Sequence, residues 1–149
     1  MYLDSAIIVK LLVREHDSAW FEKNLTGHRF ETSELALSEV SGALLFKERQ
    51  TEIIPAERVR AMEKFFSMVE EEAIVLQPLN RKVLERARAI QLACHPNVPL
   101  RTLDALHVAT CDLHHGGVLA ATDRRMRAAC AQIGIALLPA KPEDVTAAK

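Results

Sequence analysis

The 149 residues are 49% hydrophobic and 26% charged, ordinary proportions for one folded domain with room for a real core. The formal charge of −1 makes no general claim on nucleic acid, although setting aside four acids singled out below turns it to +3 and leaves room for a local basic rim. No apolar run approaches the ~20 residues of a membrane span, and no basic leader precedes the N-terminal run; the odd cysteine count, without a CxxC pair, fits a cytoplasmic protein rather than a disulfide framework.

The chain opens on YLDSAIIVKLLV, in which residues 1–4 predict a short buried strand and residues 5–13 a helix directly after it. Asp4 stands at the junction, where a carboxylate buried without a partner would cost several kcal/mol, roughly. Asp17 is a good N-cap for a second helix that carries Trp20, Phe21 and Leu25 and ends at Gly27. Residues 29–35 read as a second strand. A helix over 37–47 has Val40, Ala43 and Leu44 at helical spacing, with Ser38 as its cap. Pro55 opens the next helix, since proline is tolerated in a first turn. Its apolar positions Val59, Met62, Phe65, Phe66, Met68 and Val69 make a stripe wider than one core contact needs.

Residues 73–76 form a third strand, ended by Pro78. Asn80 caps a helix with Val83, Ala87, Ile90 and Cys94 on one face, and the loop HPNVPL separates it from the helix TLDALHVATCDLHH, closed by Gly116 and Gly117. A strand over 118–122, a helix over 123–133 and a strand over 135–138 complete a domain of residues 1–140. Residues 141–149 read as a C-terminal surface tail. Strands alternating with helices imply βα units and a central, mainly parallel sheet. Right-handed crossovers put helices on both faces, which makes a three-layer α/β/α sandwich.

In that fold Asp4 and Asp123 each follow a short apolar strand and precede a helix, so both reach the carboxyl edge, where open α/β sheets bind ligands. Each has a plain alternative as an N-cap worth about 1 kcal/mol. Asp104 lies among Leu103, Ala105, Leu106, Val108 and Ala109 on a helix apolar nearly all round, the pattern of a buried helix, although a solvated Asp is also compatible. Glu39 falls near the start of the SEVSGALL helix, where an acid can also serve the helix dipole. Glu34 competes with it but belongs to the end of a strand. Four clustered carboxylates need a counter-charge. Oxygen-only ligands suit Mg2+ or Mn2+, and such a site orients and acidifies water against a phosphodiester, the chemistry of a metal-dependent nuclease.

LDSAIIVKLL, LALSEVSGAL, LDALHVAT and ATDRRM, in this order and spacing over nearly the whole chain, resemble the four signatures of the PIN domain, and most of all the VapC-type ribonuclease toxins of bacterial and archaeal toxin–antitoxin modules. The resemblance implies a Mg2+- or Mn2+-dependent endoribonuclease with Asp4, Glu39, Asp104 and Asp123 as an acidic tetrad. It further implies an RNA substrate, a cognate antitoxin laid into a groove and a homodimer, with the wide apolar stripe and Leu45 and Phe46 as partner surface. One position departs from the family: Ala121 stands where Thr or Ser is frequent, two residues before the last acid. A housekeeping PIN nuclease of RNA maturation and a non-catalytic, receiver-like α/β module are the competing readings. The module lacks a matching late-strand Lys.

Arg101, Arg124 and Arg125 flank the third and fourth acids and read either as surface charge or as a rim for an RNA backbone. His107, Cys111, His114 and His115 share a helix at spacings that could hold zinc, but no further ligand is identifiable, and a packed His and Cys explain them as well. Ser5 and Ser38 are accounted for as helix caps.

Overall fold

A computed structural model describes residues 1–114 and 117–146. The strands are short: β1 (Tyr2–Leu3), β2 (Phe30–Ser33), β3 (Ile74–Gln77), β4 (Val118–Ala120) and β5 (Ala136–Leu138). Among the described residues they form one sheet in the order β3-β2-β1-β4-β5, with every pairing parallel. Period-two alternation divides the strand side chains between two cores. Tyr2 and Leu119 enter one, and Leu3 and Ala120 enter the other.

Helices α1 (Ser5–Leu12), α2 (Ser18–Leu25), α3 (Ala36–Arg49) and α4 (Pro55–Glu70) cover the Leu3 face. Helices α5 (Arg81–Cys94), α6 (Thr102–Leu113) and α7 (Arg124–Ile133) cover the Tyr2 face. The three-layer sandwich is therefore as the alternation of elements predicts. Fully buried Ile7, Leu44, Phe65 and Ile74 anchor one core, and each contributes about 1.5–3 kcal/mol of burial. Ile90, Leu119 and the free thiols Cys94, Cys111 and Cys130 belong to the other.

Local signals hold at several ends. Asn80 Oδ1 accepts the N–H groups of Lys82 and Val83, and Pro55 opens α4. Gly134 ends α7 at φ 82°, a conformation in which a side chain would be strained. Two expected caps do not form. α3 starts three residues earlier than Ser38 as a cap requires, with Leu35 at its N-cap position and Ser38 exposed within the first turn. Asp17 occupies the N-cap position of α2 but makes no capping bond, because its Oδ1 takes the buried ammonium of Lys10 at 2.8 Å. The segment expected as a tail carries a helical turn, α8 (Glu143–Thr146), whose Val145 packs against the core on the Leu3 face. His115 and Gly116 lie outside the described residues.

The strand order places the functional crevice. From β1 the chain moves outward to β2 and β3, then returns to β4 on the other side of β1 and continues to β5. Between the carboxyl ends of β1 and β4 the connections diverge, leaving an opening that helices do not close.

Candidate active site

Asp4 and Asp123 flank that opening on equivalent strand-to-helix junctions, yet their side chains are held differently. Asp4 extends the ladder by one residue, its N–H donating to Ala120 O at 3.1 Å. It is only 7% exposed, and its carboxylate makes no capping bond to α1. Asp123 does cap: Oδ1 accepts the N–H groups of Arg125 at 2.8 Å and Met126 at 3.0 Å. Its Oδ2 lies 3.5 Å from the Arg125 guanidinium. Capping thus accounts for one oxygen of Asp123 and for neither oxygen of Asp4.

The other two acids come from the first turns of helices in opposite layers, Glu39 from α3 and Asp104 from α6. In α6 the run Ala105–Cys111 is buried throughout, as its composition predicts, while Leu103 is half-exposed. Asp104 Oδ2 is buried without a hydrogen-bond partner. It faces Arg125 Nε, also unpartnered, across 4.0 Å, too far for a hydrogen bond. Glu39 Oε2 accepts the Ser5 hydroxyl at 2.6 Å and the His107 Nε2–H at 2.6 Å.

Two of the acids, Asp4 and Asp104, feel the charge of the others. Burial, reinforced by the charges of Glu39 and Asp104, pushes Asp4 up from 3.8 to about 6 against the pull of His107. Burial and then the charge of Asp123 raise Asp104, opposed by Arg125, Arg101 and His107. For Glu39 burial works upward but is outweighed by the hydrogen bond and charge of His107 and by the Ser5 hydroxyl, which hold it below its ordinary range. His107 moves the other way: burial works downward and is overcome by its bond to Glu39 and by the charges of Asp4, Glu39 and Asp104. The chain of influences from Glu39 through Asp4 and Asp104 to Asp123 marks one electrostatic unit, in which His107 and the arginines are the cations.

An all-oxygen donor set with a buried orphan acceptor, Asp104 Oδ2, is chemically suited to a hard divalent cation. Among the described residues no three His, Cys, Asp or Glu side chains draw together closely enough to hold an ion unaided. An ion among these acids would therefore keep several waters, as Mg2+ does. The same observation leaves the helix-borne set of His107, Cys111 and His114 without a zinc site; Cys111 is simply buried.

Of the flanking arginines, Arg125 and Arg101 act on Asp104, whereas Arg124 is exposed and makes no ion pair among the described residues. Glu34, the competitor of Glu39, is turned to other use, accepting the Leu79 N–H at 3.0 Å. Sequence reasoning missed Ser5, Tyr2 and His107. Ser5 was accounted for as a cap and His107 as packing, and both touch Glu39. A histidine in an otherwise apolar buried helix is the signal that could have found the group, because both ring nitrogens must be satisfied.

Carboxylates gathered at the switch point of an all-parallel α/β/α sandwich, two from strand ends and two from facing helices, define a family. The chain belongs to the PIN domain family, which matches residues 1–132. This membership sets aside the receiver-like module. The chain is also 34% identical over 144 residues, 93% of its length and 95% of the other's, to "Ribonuclease VapC46" of Mycobacterium tuberculosis (strain ATCC 25618 / H37Rv).

Proposed function

We propose that this chain is a Mg2+- or Mn2+-dependent endoribonuclease and the toxin of a toxin–antitoxin pair. The observation that carries the reading is the orphaned Asp104 Oδ2, buried without a hydrogen-bond partner and with its nearest cation, Arg125 Nε, 4.0 Å away. Family membership and the ribonuclease relative supply the reaction class. Asp4 and Asp104 would hold the cation, with Asp123 contributing its uncapped oxygen and Glu39 completing the site. Bound there, a divalent cation supplies acidification of water and compensation for charge developing on a phosphodiester. Arg101 and Arg125 line the approach and attract the phosphate backbone, and exposed Arg124 extends this rim.

For partners, the reading adds an antitoxin segment and a second copy of the chain. Phe65 is buried, which narrows the expected stripe, but Leu45, Phe46, Val59 and Phe66 remain exposed on neighbouring helices α3 and α4. A homodimer through this surface predicts dimeric mass by light scattering at tens of micromolar, and a monomer there overturns it.

The activity is tested with purified protein and single-stranded RNA. Cleavage is expected with Mg2+ or Mn2+ and lost in chelator, and Asp4→Asn and Asp104→Asn are each expected to lower it on the order of a hundredfold or more with the far-UV spectrum unchanged. Cleavage that persists in chelator, or folded variants that cut at the parent rate, overturns the reading.

A further inference from the structure

Glu39 is the one acid of the four whose carboxylate is held by other side chains on its Oε2 alone, and the grip continues into the sheet. Ser5 Oγ–H and His107 Nε2–H both donate to Oε2 at 2.6 Å, and the Ser5 hydroxyl lies 3.4 Å from the same nitrogen. The imidazole is 1% exposed. Its Nδ1 lies 2.7 Å from the hydroxyl of fully buried Tyr2, whose oxygen accepts the Ser33 N–H at 3.0 Å. A series of hydrogen bonds thus runs from the backbone of β2, through a phenol on β1 and an imidazole on α6, to a carboxylate on α3.

The direction of the last bond does not depend on the charge of the ring. An ionised carboxylate only accepts, so Nε2 carries a proton. In the neutral ring Nδ1 accepts the Tyr2 proton; in the cation Nδ1–H donates to the Tyr2 oxygen. Either way Nε2–H donates to Glu39. Core filling does not require this arrangement, since an aliphatic side chain fills a buried helix position without demanding two polar partners.

We propose that His107, backed by Tyr2 and assisted by Ser5, is a positioning residue that pins Glu39 by Oε2 and reserves Oε1 for the cation or its water. The inference rests on the reading of Glu39 as a site residue. Without the pin, Glu39 regains rotamer freedom that cation binding must then remove. Outer partners of metal-binding carboxylates typically carry 10–100-fold in metal affinity or activity.

The test is Mn2+ binding to RNA-free protein, followed by electron paramagnetic resonance of the free ion, beside steady-state cleavage. His107→Leu is expected to weaken Mn2+ binding roughly tenfold or more, and to lower kcat with little change in KM for RNA. His107→Gln keeps an N–H donor and is expected to recover part of both losses. Tyr2→Phe and Ser5→Ala each remove one hydroxyl, and either is expected to weaken binding by a few-fold, roughly. They carry the test if His107→Leu does not fold. A role in packing alone would lower the melting temperature while the folded variants bound Mn2+ as the parent does, and that result overturns the proposal. Glu39→Gln and Asp104→Asn distinguish the two levels. Parental Mn2+ binding by both overturns the metal-site reading, whereas their loss beside parental binding in the His107, Tyr2 and Ser5 variants overturns only the pin.

Discussion

Helix α1 meets a cluster of charge at each end. In its last turn the Lys10 ammonium lies 2.7 Å from Glu15 and 2.8 Å from Asp17, and Lys47 joins at 2.9 Å from Glu15 and 2.7 Å from Glu52. Each carboxylate there has an ammonium in contact. Burial works against the Lys10 cation, but the bonds from Asp17 and Glu15 outweigh it and hold the group above its ordinary range. At the start of the same helix, Asp4 looks across to Glu39 and Asp104, offset by the buried His107 and the Ser5 N–H. Its proton affinity rises instead. The first cluster is complete within the chain, while the second is left short of positive charge. This difference separates the two clusters more clearly than burial does, since Lys10 and Asp4 are almost equally buried.

The largest effect should come from breaking the balanced cluster. Lys10→Met leaves buried Asp17 without an ammonium in contact and Glu15 with Lys47 alone, and is expected to cost about 3–5 kcal/mol in urea unfolding. A change below about 1 kcal/mol would show that water already solvates these acids.

Removing a charge from the unbalanced cluster should act in the opposite direction. A carboxyl whose folded pKa is raised binds its proton more tightly in the native state, so the penalty on stability accumulates as pH rises from 3.8 through about 6. In chelator, Asp4→Asn is therefore expected to be more stable than the parent above pH 6, by at most roughly 3 kcal/mol. The advantage should vanish as the pH is lowered towards 4. Equal stability across this range would mean that the crevice tolerates an ionised Asp4.

The smallest change in stability belongs to Asp123→Asn, because Asn caps a helix about as well as Asp and the capping oxygen is retained. Unfolding should shift by less than about 0.5 kcal/mol, while the Mn2+ concentration needed for cleavage rises. Full activity at limiting Mn2+ would leave Asp123 a cap and reduce the acidic group to three.

Much of this was legible in the sequence because it depends on neighbours along the chain. Short segments between helical patterns, most of them apolar, marked the strands, and the strand-to-helix junctions located Asp4 and Asp123. The unbroken apolar surface of α6 marked Asp104 as unusual. What was not legible depends on contacts between distant segments. Ser5, Tyr2 and His107 meet Glu39 or one another across 34 to 105 residues, and no local pattern encodes those distances. Asp17 was misread for a related reason: its local signal as a cap is real, but the buried Lys10 competes for the same oxygen and prevails.

The central strand of the sheet is formed by residues 2 and 3, and its neighbour on one side by residues 118–120. During synthesis Asp4 therefore leaves the ribosome well before β4, the strand that sets its place. Helices α1 to α4 can gather around β1, β2 and β3 on a partial chain, but the opening beside β1 has only one wall until β4 and α7 arrive. On the proposed reading of the site, a nascent chain that has reached only β3 lacks two of the four acids, Asp104 and Asp123, and has no complete place for a cation beside the RNA that surrounds it.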